Sequence, residues 1–263
     1  MSGGADSDEP ARFEDEKMQG VVFRDVDLSG ARFEHADLTG AKMRGVELVD
    51  VEIEGEIRNL RINGVDVVPL VNAELDRMDP DRPKMRPTDP AGFREAWDIV
   101  ERLWGQTVER ARGMDEELLN ASVEDEWSFI ETLRHLVFAT DAWIRRAIMG
   151  EPQPWSALDL PWDQMPDTPG IPRDRDARPT LDEVLILRRD RMGIMRQLVD
   201  ELTDEELASN TDPVESPGWP QPRSYPVREC LSIILNEEWH HRLYAERDLD
   251  ALESHAAQAG EDG

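Results

Sequence analysis

Hydrophobic residues recur at every fifth position between residues 21 and 53. Two registers keep this spacing, one of large side chains and one, two residues earlier, of smaller ones. The first contains Phe23, Leu28, Phe33, Leu38, Met43, Leu48 and Ile53, and the second Val21, Val26, Ala31, Ala36, Ala41, Val46 and Val51. A period of five fits neither a strand nor an α-helix. It predicts a four-sided coil with one pentapeptide on each side and both registers pointing inward.

This repeat resembles the pentapeptide-repeat family, most closely in the run Ala36-Asp37-Leu38-Thr39-Gly40. The resemblance implies a short right-handed quadrilateral β-helix. Seven pentapeptides make about two coils, which is too few for a solenoid to bury a continuous core by itself. We therefore expect a small stabilising wedge at residues 21–78, and a DNA-mimicking acidic surface is the alternative interpretation.

The chain after the repeats predicts two short strands around an Asn63-Gly64 turn, and then one or two helical turns at 72–78. Four prolines follow between residues 80 and 90, a density that excludes helix and central strand. We place a proline-rich linker at 79–88 and a helical domain at 89–252. Residues 1–20 and 253–263 are predicted to be a disordered acidic N-terminus and a disordered tail.

From residue 89 onward, apolar residues recur at spacings of three and four, which is typical of amphipathic helices. Capping residues and stop signals delimit four of them, at about 89–112, 128–149, 180–202 and 224–252. This pattern predicts an all-α four-helix bundle. Two proline-rich connections that contain tryptophan, residues 151–179 and 209–223, are each expected either to cover a core edge or to line a pocket.

Composition narrows the functional classes. The 263 residues include 58 acidic and 30 basic side chains, a net charge of -28 that disfavours binding to nucleic acid or to an anionic membrane surface. The chain has neither an apolar run of about 18 residues nor the apolar segment of a secretory signal, so we expect a cytoplasmic protein. Its one cysteine, Cys230, excludes an internal disulfide and lies on an apolar helix stripe, where we expect an inert thiol.

The fourth predicted helix changes character along its apolar stripe. Residues 227–234 are followed on the same face by Glu237 and Glu238, and then by His241. A buried carboxylate needs a partner, and a metal ion is one candidate. Glu237 and His241 are one turn apart, so an intrahelical ion pair is the alternative. His135 on the second helix would complete a site of two histidines and one carboxylate, a set that suits zinc, with nickel and iron as alternatives.

Residues 89–252 resemble the DinB-like (YfiT-like) family of metal-dependent four-helix bundles. The resemblance rests on WS followed by ETLRHL at 127–136, and on NEEWHHR at 236–242. It implies that His135, Glu237 and His241 are the metal ligands. It also implies a low-molecular-weight thiol, such as mycothiol or bacillithiol, as cosubstrate for S-transfer to, or isomerisation of, a small-molecule substrate. By helical angle Glu238 is placed almost as well as Glu237, whereas His240 points about 100° away from His241.

Three functions stay open from the sequence. They are a metal-dependent thiol transferase or isomerase, a non-catalytic small-molecule-binding module with the same bundle pocket, and an interaction protein that acts through the acidic β-helix. Arg134, Arg242 and Arg247 flank the candidate ligands, and each is expected either to bind an anionic substrate or to form a surface ion pair. The sequence predicts no particular oligomeric state.

Overall fold

The structure, a computed structural model, describes residues 11–13, 16–34, 36–123, 126–214 and 217–261, with side chains to residue 254. It divides into two compact units, Met1–Glu56 and Ile57–Gly263. Most of the N-terminal segment predicted to be disordered, including residues 1–10, lies outside the described residues. Among the described residues, no helix has the length and apolar character needed to cross a membrane.

The backbone of the first unit follows the five-residue period. A left-handed backbone conformation (positive φ) recurs at Gly20, Asp25, Gly30, Gly40, Gly45, Asp50 and Gly55. At three of these corners the amide donates across the turn, from Val21 to Met18 at 3.1 Å and from Ala31 to Leu28 and Ala41 to Leu38 at 3.0 Å each. Glycine accepts this conformation at the lowest steric cost.

The two hydrophobic registers are not buried in the part of this unit that the structure describes. Side chains of the large register are 47% to 65% exposed, and those of the smaller register are exposed as well. No strand is formed in the described part of this unit. The physical reason is length, because a solenoid buries its interior by stacking successive coils and two coils leave each side chain with too few neighbours.

The second unit opens with a β-hairpin, as predicted. Strands β1 (Arg61–Ile62) and β2 (Val65–Asp66) pair antiparallel, with Ile62 opposite Val65. Asn63 and Gly64 both have positive φ, at 50° and 86°, which a two-residue type I′ turn requires. Helix α1 (Val68–Met78) follows and is longer than the predicted one or two turns.

The predicted linker at 79–88 packs onto the second unit instead of separating two domains. It contains a 3-10 turn, Arg82–Met85, in which Met85 is buried in the hydrophobic core. Asp81 accepts a hydrogen bond from Arg102 at 2.6 Å. The prolines exclude a long helix here. A short helical turn still forms, because the first amides of a helix have no hydrogen-bond partner and a proline at that position therefore loses no hydrogen bond. The two compact units therefore divide after Glu56 and not at the prolines.

Six further helices lie in the described residues that follow. They are α2 (Pro90–Ala111), α3 (Glu116–Leu119), α4 (Phe129–Thr140), α5 (Leu181–Glu201), α6 (Asp204–Leu207) and α7 (Val227–Glu261). A π-helical segment, Asp141–Ile148, continues α4. The four long helices match the predicted ones. The tail at 253–263 was predicted to be disordered, but the backbone stays helical to Glu261, since Ala256, Ala257 and Gln258 are good helix formers.

Local capping explains why these helices begin where the sequence predicts. Asp89 accepts a hydrogen bond from the amide of Gly92 at 2.8 Å, with Pro90 at the first helical position. Ser128 and Thr180 each form a capping box with a glutamate three residues later.

The four long helices enclose one hydrophobic core. Helix α4 packs on α5 and α7, and α2 packs on the same two helices. Phe93, Leu133, Val184 and Ile234, one from each helix, are almost completely buried in this core. This packing sets the middle of α4 against the middle of α7, where the candidate ligands lie.

The connection at 151–179 has no regular secondary structure but is ordered against α4. Trp155 stacks on Phe138 with ring centroids 5.7 Å apart, and Trp162 lies 6.4 Å from the same ring. Trp219, from the second tryptophan-containing connection, packs edge-on against Trp162 at 4.9 Å. Both connections therefore pack against the residues around Phe138.

Candidate metal centre

The three predicted ligands meet at one point between α4 and α7. Nε2 of His135 is 3.3 Å from Oε2 of Glu237, and Nε2 of His241 is 3.1 Å from the same oxygen. The three ligand atoms lie within 4.8 Å of one another. Within the described residues, no other group of three histidine, cysteine or acidic side chains comes together in this way.

A backbone carbonyl of the 151–179 connection sets the orientation of His135. Nδ1 of His135 lies 2.9 Å from the carbonyl oxygen of Leu160. A carbonyl can only accept, so Nδ1 carries a hydrogen, and Nε2 is the ring nitrogen that faces Glu237. Metal-binding histidines in proteins are oriented by this kind of second hydrogen bond. The sequence contains no signal for it, because a backbone acceptor has no residue type.

Electrostatics favour the protonation states that bind a metal. Burial acts to raise the pKa of Glu237, but hydrogen bonds from His135 and His241, with the charges of both rings, lower it overall. Burial also lowers the pKa of His241, and the charge of His135 acts in the same direction against the hydrogen bond to Glu237. At neutral pH the site therefore has an ionised carboxylate beside a neutral His241 ring.

Glu238 has a different partner, which separates it from Glu237. Its two carboxylate oxygens accept from Nη1 and Nη2 of Arg188, both at 2.7 Å. Glu238 is 1% exposed and Arg188 is 3% exposed. The guanidinium also lies 5.4 Å from the ring of Trp104. The alternative that Glu238 joins the two histidines is therefore not what the structure shows, and Glu238 instead satisfies a buried cation on α5.

His240 lies outside the group of ligands, as the helical angle predicts. Its side chain is exposed, and its ring is 6.5 Å from that of Tyr244.

Aromatic rings enclose the two histidines. Trp127 lies parallel to His241 with a centroid distance of 6.0 Å, and 4.7 Å from the ring of His135. Phe138 lies 6.0 Å from His135 on another side. The side chain of Glu237 is 29% exposed against 8% for His135, so solvent reaches the site from the Glu237 side. Sequence reasoning used Trp127 as part of a motif but did not assign it to the site.

None of the three flanking arginines is placed to bind an anionic substrate. Arg134, predicted to lie at the surface or in the pocket, is fully buried and donates to the carbonyls of Leu158, Asp174 and Ala177 in the long connection. Arg242 donates to Thr107 and Glu246, and Arg247 to Glu126 and Asp248. Arg134 therefore anchors the connection onto α4, and the other two form polar contacts on the helix surface.

Cys230 is expected to resist alkylation in the native protein. Burial, together with the charge of Glu229, raises the pKa of its thiol to about 12. Only about one thiol in ten thousand is then ionised at about pH 8, and the side chain is fully buried. Mass spectrometry after iodoacetamide treatment should show no adduct on the native protein and one after unfolding in guanidinium. Rapid modification without denaturant would contradict this.

Two family models match the chain. One, described as the DinB superfamily, matches residues 99–245, which is more than half of the chain and includes all three candidate ligands. The other, pentapeptide repeats, matches residues 11–51 in eight copies, so the repeats begin earlier than the predicted residue 21. The search of curated proteins and the search of solved structures each gave no significant match.

Proposed function

The chain belongs to the DinB superfamily, and we propose that it is a metal-dependent enzyme that uses a low-molecular-weight thiol to modify a small-molecule substrate, as an S-transferase or an isomerase. One observation carries this proposal. Nε2 atoms from two helices converge on one oxygen of Glu237, while the other ring nitrogen of His135 is taken by a carbonyl. An ion pair alone does not need both imidazoles on the same oxygen.

The donor set fits a catalytic metal. Two imidazole nitrogens and one carboxylate oxygen suit zinc, with nickel and iron as alternatives. Three protein ligands are typical of catalytic zinc sites, whereas structural sites use four. When bound, such an ion supplies a Lewis acid that lowers the pKa of a coordinated thiol.

The surrounding residues have separate tasks in this proposal. Trp127 and Phe138 exclude water from two sides of the histidines. The exposed edge of Glu237 leaves a path for the thiol and its partner substrate. The Leu160 carbonyl keeps the Nε2 lone pair of His135 directed into the site.

Both candidate reactions balance without a redox partner. In S-transfer, the sulfur–carbon bond forms, the leaving group departs with its electron pair, and the thiol proton passes to solvent. In isomerisation, the thiol adds to the substrate and leaves again unchanged.

The four long helices are proposed to form the four-helix bundle of this family, and the turn at each fifth residue supports a quadrilateral coil for the repeats.

The test begins with purification without a His-tag or chelators, followed by metal analysis by mass spectrometry. We expect about one equivalent of zinc, nickel or iron per chain. The protein is then assayed with mycothiol or bacillithiol and 1-chloro-2,4-dinitrobenzene, for release of chloride and formation of the thioether. Glu237→Gln should lose both the ion and the activity, while His240→Ala on the same helix should keep both.

Each other outcome changes the assignment. A bound ion without turnover of any thiol would make the chain a non-catalytic binding module. A chain that takes up no ion even after reconstitution would overturn the metal-dependent enzyme.

A further inference from the structure

Two acids of the second unit are buried close to each other. Asp141 begins the π-helical segment, Asp159 lies in the 151–179 connection, and both are 0% exposed. The oxygens of Asp141 accept from Nε and Nη2 of Arg191, each at 2.8 Å, and Nη1 of Arg145 lies 3.2 Å away. Two guanidinium groups therefore favour the ionised form of Asp141.

Asp159 has no such support. Oδ2 accepts from the amide of Ser156 at 3.2 Å, and Oδ1 has no hydrogen-bond donor among the described residues. The charge of the nearby Asp141 carboxyl group, and a hydrogen bond with it, act to raise the pKa of Asp159. Two carboxylates have no hydrogen between them, so this contact requires one proton on the pair. Asp159 is the better position for that proton, because the two arginines contact Asp141.

The electrostatics agree with this geometry. Burial raises the pKa of Asp159 well above its usual range, and the negative charge of Asp141 acts in the same direction, against the charge of Arg191. Burial raises the pKa of Asp141 as well, against the hydrogen bonds and charges of Arg191 and Arg145. The proton is therefore retained at pH values where an exposed aspartate has lost it.

The acid pair is one residue away from the group that orients His135. Leu160, whose carbonyl accepts from Nδ1 of His135, directly follows Asp159. Arg134 and Arg145 anchor the same connection at the carbonyls of Leu158 and Pro154, at 2.9 and 2.7 Å. Those bonds come from arginines, which do not titrate in the relevant range. Arg175, which is paired with Asp163, donates to the carbonyl of Pro161 at 2.8 Å, and Asp159 is the titratable residue directly next to Leu160 in the chain.

We infer that Asp159 is a positioning residue for His135. As an un-ionised acid it binds Asp141, and this contact holds the Leu160 carbonyl on His135. Ionisation of Asp159 at higher pH releases this part of the connection and weakens metal binding. The effect on the metal rests on the proposed function, whereas the shared proton does not. The pKa of Asp159 is higher in the folded protein than in the unfolded chain, so its proton stabilises the folded state. This stabilisation is complete below the unfolded value of 3.8 and is lost as pH rises through the folded pKa.

The first test compares zinc affinity, by competition with a chromophoric chelator, in wild type and Asp159→Asn from about pH 6 to about pH 10. Asparagine keeps a hydrogen-bond donor and cannot ionise. We expect affinities within about threefold at the lower end of this range. Above the folded pKa, wild type should lose affinity relative to the variant by up to about tenfold per pH unit. Asp167→Asn, the same change at a fully exposed site of the connection, should follow wild type.

Histidine protonation and hydrolysis of the free ion affect all three proteins equally, so the ratio of affinities isolates Asp159. Parallel pH profiles of wild type and Asp159→Asn would overturn the inference. Asp159→Ala, which removes the hydrogen bond at every pH, should bind zinc about 10- to 100-fold more weakly than Asp159→Asn. Equal affinity of these two variants would also overturn it.

A second test needs no metal. Carbon-13 NMR of aspartate carboxyl groups in the metal-free protein should show one resonance that titrates far above the others and is missing in Asp159→Asn. Trypsin should cleave the 151–179 connection faster as pH rises in wild type but not in that variant. If the chain binds no ion, the proposed function fails, and this experiment still decides whether Asp159 holds the proton.

Discussion

Replacing His135, Glu237 or His241 by alanine is expected to lower the affinity for zinc by at least about 100-fold, or about 3 kcal/mol. Their ligand atoms lie within 4.8 Å of one another, so each replacement removes one of the three donors. Loss of an orienting group outside the ligands already costs about 10- to 100-fold. The measurement is chelator competition at neutral pH, with circular dichroism to verify that each variant is folded.

The matched control for this series is His240→Ala. It removes an imidazole from the same turn of α7, but from an exposed side chain outside the group of ligands. It should bind zinc as wild type does. If His240→Ala lost zinc and His241→Ala kept it, the assignment of ligands would be wrong. If all four variants lost it equally, the site would depend on the fold of α7 and not on these particular donors.

Replacing either Arg188 or Glu238 by alanine is expected to lower the free energy of unfolding by about 3–5 kcal/mol. Each single change leaves a buried charge without its partner, because the two side chains form a bidentate pair and are 3% and 1% exposed. Urea unfolding followed by circular dichroism measures the effect. Replacing both residues together by methionine and leucine should recover most of the loss, since the cost comes from the unpaired charge.

The neighbouring glutamates separate stability from metal binding. Glu238→Gln should destabilise the chain while the folded fraction still binds zinc, and Glu237→Gln should lose zinc with a smaller loss of stability. Loss of zinc in Glu238→Gln with unchanged unfolding would identify Glu238 as the ligand and contradict the structure. The comparison of these two variants is informative because the same substitution is made at two adjacent positions of α7.

Several features were predictable because their causes are local. The caps at Asp89, Ser128 and Thr180 define helix starts through contacts within three residues. Glu237 and His241 share a helix face because they are one turn apart.

The prediction of a linker at 79–88 differs from the structure for the opposite reason, because its cause is not local. Prolines indicate where a helix cannot form, but whether such a segment packs depends on the burial of Met85, a tertiary contact.

The sequence by itself determined the helical elements and the five-residue period, because these follow from the backbone preferences and spacing of neighbouring residues. It also suggested the three residues of the candidate site, through motifs that resemble those of a known family. Tertiary structure decided that Glu238 pairs with Arg188, 50 residues earlier, that the Leu160 carbonyl orients His135, and that Arg191 binds Asp141. Those contacts join distant segments, and one involves a backbone atom, so their energy depends on three-dimensional packing that no local pattern encodes.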